Sequence, residues 1–115
     1  MVREKRYMET SLFVRLLGNY PVVRVLDFLL TYREFDYPLT EIAENASVSW
    51  STLHSFWKNL VELGVVVKTR KIGRAQLYKL NSESPLVQEL ARLYGKIILT
   101  SSEKFARVQV AKARA

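Results

Sequence analysis

Residues 39–81 read LTEIAENASVSWSTLHSFWKNLVELGVVVKTRKIGRAQLYKLN, and this stretch decides the fold. A short helical segment is followed by a tight turn, a longer amphipathic helix, a glycine stop and two β-rich runs that flank a basic turn. That order is a helix-turn-helix followed by a β-hairpin wing. Because the second helix of such a motif enters the DNA major groove and a basic hairpin can reach phosphates, the pattern predicts binding to double-stranded DNA.

The longer helix is predicted from about Trp50 to Leu63, with Gly64 as its stop. Its buried face is predicted to hold Leu53, Phe56, Trp57 and Leu60. The opposite face and the helix start are available to a groove. The predicted recognition set consists of Ser49, Trp50, Ser51, Thr52, His54, Ser55 and Lys58. The hydroxyls and the imidazole could hydrogen-bond base edges, whereas Lys58 is expected to prefer phosphate. Trp50 either contacts a thymine methyl or the sugar-phosphate wall, or shields the core.

The hairpin is predicted over 65–80, with Lys71 to Arg74 as the loop between its strands. It contains five cations and no acidic residue. The predicted wing set consists of Lys68, Arg70, Lys71, Arg74 and Lys79. Each phosphate that such a cation neutralises releases counterion, so we expect DNA affinity to fall steeply as salt rises. The alternative is that these charges form only a solvated surface.

Helices are also predicted on both sides of this stretch. The first runs from about Glu4 to Leu17, and Pro21 opens a second, apolar helix. Thr40 is the predicted cap of the short helix, and either Ser47 or Ser49 caps the longer one.

The last predicted helix begins at Ser84 and Pro85 and carries a near-heptad apolar seam. Because one helix-turn-helix touches few base pairs, whereas a twofold dimer contacts two half-sites, we expect a homodimer formed through the terminal helices. The predicted dimer interface consists of Phe13, Leu16, Leu86, Leu90, Leu93 and Ile97. Alternatively, the seam folds back onto the first two helices.

The chain is expected to be one α+β domain, 1–115, that is mainly α with a small β-hairpin. It divides into an N-terminal helix (1–19), a winged helix-turn-helix core (20–81) with its wing at 65–80, and a C-terminal helix with a basic tail (84–115). The net charge of +7 and the pI near 9.9 favour a polyanion, either nucleic acid or an anionic membrane surface. The sequence has neither a signal-peptide pattern nor an apolar run of about 18 residues, so we expect a cytoplasmic protein with no membrane partner.

Little catalytic chemistry can be built from these residues. Cysteine is absent and His54 is the only histidine, which excludes disulfides, thiolate sites and a multi-histidine metal site within one subunit. We therefore expect no catalytic residue, no metal and no cofactor, and His54 is interpreted as a surface or DNA-contacting residue rather than a pH sensor. An aromatic set could line a pocket for a small-molecule effector, although its spacing favours core packing. It consists of Tyr20, Tyr32, Phe35, Tyr37, Phe56, Trp57 and Tyr78.

The segment LLGNYPVVRVLDFLL at 16–30, together with 39–81, resembles the winged-helix transcription regulators of the ArsR and MarR type common in archaea. The resemblance spans about residues 12 to 99, and its specific parts are LVELGVV, the basic wing and the Asn81-x-x-x-Pro85 entry to the last helix. It implies a dimeric DNA-binding regulator with the loop Lys71 to Arg74 as wing tip. Family members commonly carry a basic residue just after the turn, where this chain has Ser49-Trp50-Ser51-Thr52. The Cys and His pairs of the metal-sensing branch are also missing, so metal-responsive derepression is not implied.

Two other functions fit the same pattern. An architectural or partition-type protein would use the same surface with little sequence preference, as the arginine-free recognition helix and basic tail suggest. A winged helix can also serve as a protein-interaction module whose charge only aids solubility. An RNA partner is harder to dismiss, because a basic wing would bind any nucleic-acid backbone, although the paired aromatic strand motif of the common RNA-reading sheet is absent.

Overall fold

The structure, a computed structural model, describes the backbone of residues 11–114 and the side chains of residues 11–100. Five helices and three strands lie in that span. In chain order they are α1 (Leu12–Leu17), α2 (Pro21–Thr31), β1 (Tyr37–Pro38), α3 (Leu39–Asn45), α4 (Trp50–Glu62), β2 (Val66–Ile72), β3 (Ala75–Leu80) and α5 (Pro85–Arg114). The predicted α+β winged helix-turn-helix is confirmed, with α3 and α4 as the helix-turn-helix and β2 and β3 as the wing.

The first helix is shorter than predicted. It begins at Leu12 rather than near Glu4, because Ser11 has an extended backbone and its Oγ accepts a hydrogen bond from the Val14 N–H at 3.2 Å. The predicted stretch before Ser11 lies outside the described residues. Gly18, at φ +107°, ends the helix as expected.

The sheet has one strand more than the sequence indicates. Its order is β1-β3-β2 and both pairings are antiparallel. β1 pairs Tyr37 with Tyr78 and Pro38 with Leu77. Proline is tolerated here because β1 is an edge strand, where the missing N–H breaks no second ladder.

This edge strand also explains a wrong prediction. The N-cap of α3 is Pro38, in an extended conformation and without a side-chain capping bond, so Thr40 lies inside the first turn of the helix. Pairing with β3 already holds Pro38 extended, and the helix begins at the next residue. Ser49 is confirmed as the N-cap of α4, since its Oγ accepts a hydrogen bond from the Thr52 N–H at 3.2 Å.

The tip of the wing is tighter than predicted. β2 continues through Ile72 and β3 starts at Ala75, so the turn consists of Gly73 and Arg74 rather than of the four residues from Lys71. A two-residue hairpin turn needs positive φ at its first central position, and Gly73 supplies it at +61°.

One core holds these elements together. Buried side chains come from α1, α2, α3, α4, the hairpin and α5. Leu53, Trp57 and Leu60 are the buried residues of α4, and Phe56, also predicted on this face, is partly buried against the core. α1 packs on α5 through an edge-to-face contact between Phe13 and Tyr94, whose ring centroids are 5.7 Å apart. Because α4 is held by one face, its opposite face remains exposed.

Within the described part of the chain, none of the helices combines the length and the apolar character required to cross a membrane.

Candidate nucleic-acid interface

The turn between α3 and α4 sets the angle of the predicted recognition helix. The Ser47 N–H donates to the Glu44 carbonyl at 3.2 Å, and the Val48 N–H donates to the Ala43 carbonyl at 2.9 Å. These two bonds form a Schellman motif, whose central residue is usually glycine because its backbone is left-handed. Here the position is Ser47, at φ +57°. The turn therefore stores a local strain that other contacts must offset.

Arg24 of α2 provides such contacts. Its Nε donates to the Ala46 carbonyl at 3.0 Å, and its Nη2 donates to the Ser47 carbonyl at 3.1 Å. Its Nη1 donates to Asn19 Oδ1 at 2.8 Å. A guanidinium thus binds the carbonyl end of α3, where a cation is favoured by the helix dipole. Sequence reasoning missed Arg24, because its partners on the turn lie 22 and 23 residues away and no local pattern connects them.

The exposed face of α4 carries the predicted recognition residues. Ser51, His54, Ser55 and Lys58 are exposed, and Trp50 is 50% exposed. The hydroxyls interact with the helix itself: Ser49 Oγ donates to Thr52 Oγ1 at 2.8 Å, and Ser55 Oγ donates to the Thr52 carbonyl. Ser49 and Thr52 therefore organise the helix start.

Two further contacts define the chemistry of this face. The rings of Trp50 and His54 meet edge to face, with centroids 4.3 Å apart and planes at 65°. Lys58 Nζ lies 3.9 Å from Glu62 Oε2, with both side chains well exposed. Lys58 and Glu62 are the only Lys, Arg, Asp or Glu residues of α4, and their formal charges cancel.

The hairpin is attached to α4 by an aromatic contact. Tyr78 of β3 packs edge to face on Trp57, with ring centroids 5.2 Å apart. Lys68 pairs with Tyr78 across the hairpin and so lies on the same face of the sheet. Lys79 pairs with Val67, one residue along, and therefore lies on the opposite face. The structure thus brings Lys68 to the side of α4 and separates Lys79 from it.

The hairpin is irregular at its centre. Between the pairs Lys68 with Tyr78 and Lys71 with Gln76, β2 has one residue more than β3, which is a β-bulge. Gln76 Nε2 donates to the Arg70 carbonyl at 3.1 Å and so satisfies a group that the bulge removes from the ladder.

An acidic residue from outside the hairpin binds at this bulge. Arg70 donates through Nε to Asp36 Oδ2 at 3.0 Å and through Nη2 to Asp36 Oδ1 at 3.2 Å. Thr69 Oγ1 also donates to Asp36 Oδ2. The hydrogen bonds from Arg70 and Thr69 hold the pKa of Asp36 below its usual value. Arg70 is one of the five predicted wing cations, but its charge is offset by Asp36, and it ties the wing to the segment before β1.

The other wing cations differ from Arg70. Among residues 11–100, no carboxylate forms an ion pair with Lys68, Lys71, Arg74 or Lys79. Lys68, Lys71 and Arg74 are exposed, whereas Lys79 is partly buried. The residues that combine exposure with an unneutralised charge are therefore Lys68, Lys71 and Arg74, and we call these three the wing triad.

The predicted dimer residues fall into two groups. Phe13 is only 1% exposed, and Leu90 and Ile97 are partly buried against the core of the same chain. Leu16, Leu86 and Leu93 remain exposed, at 63%, 48% and 40%. Three of the six residues therefore pack within their own chain, as expected if the seam folds back, and the other three remain available to a partner.

The predicted aromatic set is also divided. Trp57 is buried, and Tyr37, Phe56 and Tyr78 pack against the core. Tyr20, Tyr32 and Phe35 are exposed.

An open cavity of about 320 Å³ lies between the end of α2 and α5, lined in part by Tyr32, Phe35 and Tyr94. The hydroxyls of Thr31 and Tyr94 share a hydrogen bond there, and burial raises the pKa of Tyr94. The described residues contain no cluster of three or more side chains suited to hold a metal ion.

Comparison with known proteins supports the fold alone. No family model and no curated protein matches the chain. Among solved structures, the apo form of a double mutant of Lactococcus lactis ZitR is similar, with a TM-score of 0.61 at 18% sequence identity. The match covers 96% of this chain and 86% of the ZitR chain. At this identity the likeness concerns architecture, and it supports the conclusion that the chain has a winged helix-turn-helix fold.

Proposed function

We propose that the protein is a homodimeric transcription regulator that binds double-stranded DNA. In this proposal α4 enters the major groove and the wing triad contacts phosphates beside it. The observation that carries the proposal is the packing of Tyr78 on Trp57, which attaches the cationic hairpin to α4. A groove-reading helix and a phosphate-binding element then act as one surface.

The Arg24 contacts support the same proposal. A recognition helix must be presented at a defined angle, and the guanidinium fixes the turn that sets this angle. The strained Ser47 backbone is consistent with a turn whose geometry matters for function.

Dimerisation is proposed through the exposed apolar residues of the terminal helices. Leu86 and Leu93 are seven residues apart on α5 and therefore share one face, and Leu16 adds an exposed apolar side chain on α1. Their burial against a second copy would remove apolar surface from water.

The double substitution Leu86→Glu and Leu93→Glu tests the dimer. Both side chains are exposed, so the protomer should stay folded, whereas glutamates at the interface should give a monomer by light scattering. Leu99→Glu is the matched control, since Leu99 is also exposed but points roughly 120° away from Leu93 around the helix. A double variant that remains as dimeric as the control would place the interface elsewhere.

A low-specificity architectural DNA-binding function is the second candidate. It is favoured by one observation, the absence of net charge and of arginine on α4. In that case the wing would supply nearly all of the affinity and α4 would discriminate little between sequences.

Selection from a pool of random duplexes separates the two candidates. Bound duplexes are recovered, and affinities for enriched and unenriched sequences are compared at two salt concentrations. An inverted repeat with half-sites about 10 base pairs apart supports the regulator. Salt-sensitive binding without an enriched motif supports the architectural function, and no binding even at low salt would replace both with a protein-interaction module.

A further inference from the structure

We infer that the protein recognises thymine methyl groups in the major groove through the ring of Trp50, with His54 as the residue that positions this ring. The inference rests on the proposed function, since it names the DNA chemistry that α4 reads.

The beginning of α4 lacks the side chains that read bases most strongly. The strongest base readers are side chains that bind two base atoms at once, namely arginine to guanine and asparagine or glutamine to adenine. None occurs from Trp50 through Trp57. Lys58 and the exposed Asn59 follow only eight and nine residues, or about 12 and 13.5 Å, along the helix from Trp50. The end of the helix that enters a groove first therefore has no bidentate reader.

The second step concerns the hydroxyls at this end. Ser49 is bonded to both the N–H and the Oγ1 of Thr52, and the Ser55 hydroxyl donates to the Thr52 carbonyl. These groups have hydrogen bonds within the helix that a base would have to replace. Ser51 Oγ also lies 3.4 Å from Ser49 Oγ, at the long end of a hydrogen bond. Hydrogen bonding to bases at the tip of α4 is therefore left mainly to His54 and to the weakly bonded Ser51.

The third step is the apolar surface that remains. Trp50 is 50% exposed at the first position of α4, and the edge-to-face contact with His54 restricts the orientation of its ring. In the major groove the apolar group is the C5 methyl of thymine. An exposed, oriented indole at the tip of a neutral helix is complementary to that methyl group, and contact would remove both from water.

The magnitude of the effect is modest and measurable. Burying one methyl-sized group changes affinity by about fourfold. Two contacted thymines in each half-site would give about sixteenfold per half-site if they act independently.

The experiment uses two versions of the duplex sequences recovered by selection, one with thymine and one with uracil, which lacks only the C5 methyl. Binding of the full-length protein to both is measured by fluorescence anisotropy at a single salt concentration. The wild type should bind the thymine duplex at least fourfold more tightly than the uracil duplex. Trp50→Ala should bind the two duplexes equally.

Control variants separate the role of Trp50 from that of His54. Leu63→Ala removes an exposed apolar side chain from the other end of α4, 66% exposed, and should retain the full thymine preference. His54→Ala should reduce the preference, and His54→Phe, which keeps a ring beside Trp50, should restore it. If His54→Phe behaves like His54→Ala, the imidazole nitrogens contact DNA directly and the positioning role is wrong.

The outcomes distinguish the inference from the proposed function. Equal wild-type affinity for thymine and uracil duplexes would overturn methyl recognition while leaving duplex binding intact. The same thymine preference in wild type and Trp50→Ala would assign the preference to another residue or to duplex shape and would also overturn the inference. Failure to bind either duplex would reject the proposed function itself.

Discussion

α4 and the wing hairpin meet at the contact between Trp57 and Tyr78, yet they present opposite chemistry to solvent. α4 has no net formal charge and exposes an indole, an imidazole and hydroxyls. The hairpin exposes three cations that no carboxylate of residues 11–100 neutralises. Cations attract any phosphate backbone, whereas groove-facing apolar and hydroxyl groups distinguish bases. The difference suggests a division in which the wing supplies affinity and α4 supplies discrimination.

The largest effect should follow from removing the wing triad. Lys68→Ala, Lys71→Ala and Arg74→Ala together should lower affinity for every duplex by about a hundredfold near 0.1 M salt. The slope of log affinity against log salt should become less steep by about 2 to 3, because three phosphate contacts are lost. Titrations at several salt concentrations measure both quantities.

Two single variants sharpen this result. Lys79→Ala removes the same charge from the opposite face of the hairpin and should change the slope little. Trp50→Ala should also leave the slope unchanged while it alters the ranking of sequences. If Lys79→Ala changes the salt slope by one third of the change in the triple variant, DNA is attracted by the overall charge of the hairpin. The face on which each cation lies would then not matter.

The next largest effect should come from Arg24. Arg24→Met removes its hydrogen bonds to the carbonyls of the turn and should lower the free energy of unfolding by about 2 kcal/mol. Because the turn sets the angle of α4, sequence discrimination should fall as well, while the wing retains its salt slope. Urea denaturation and the salt titration measure these two effects.

A conservative variant tests the role of the guanidinium shape. Arg24→Lys keeps the charge but not the planar fork, so it should recover only part of the stability. Full stability and unchanged discrimination in Arg24→Met would show that the turn keeps its geometry without this contact.

The smallest effect on DNA binding should come from Arg70. Since Asp36 already offsets its charge, Arg70→Ala should change the salt slope less than Lys71→Ala does, although both remove one cation from β2. Equal slopes for the two variants would mean that Arg70 leaves Asp36 and contacts phosphate in the complex.

The same ion pair predicts a pH dependence of stability. The pKa of Asp36 is lowered in the folded state, so its stabilising contribution is present above the ordinary aspartate value of 3.8 and is lost as the pH falls through the lower folded value. Asp36→Asn should therefore lose less stability than the wild type below about pH 4. Thermal unfolding of both proteins, measured from neutral to acidic pH, tests this prediction. Melting temperatures that fall in parallel for the wild type and Asp36→Asn would contradict it.

Local signals in the sequence were sufficient for much of the fold. The spacing of Leu53, Trp57 and Leu60 predicted the buried face of α4. The capping serines also acted as predicted: Ser49 caps α4, and Ser84 Oγ accepts a hydrogen bond from the Val87 N–H at 3.3 Å. Such signals depend on residues within one or two helical turns, which the sequence displays directly.

The features that the sequence did not reveal depend on distant residues. The hairpin alone contains no acid, yet Asp36 reaches Arg70 from 34 residues away. Arg24 similarly belongs to an apolar helix and binds a turn 22 residues later. β1 was missed because two residues, one of them a proline, carry no alternating pattern. The difference between Arg70 and the wing triad was therefore visible only in the folded chain.

Whether α4 and the wing form a DNA-binding surface is tested by a salt titration of wild-type binding to a fluorescent duplex, with a single strand of the same sequence as comparison. We expect tight duplex binding at about 50 mM salt, with a slope of log affinity against log salt of about −3 for each protomer bound. Binding to the single strand should be weaker. No duplex binding at the lowest salt, or an affinity that is independent of salt, would contradict the claim that α4 and the wing form a DNA-binding surface.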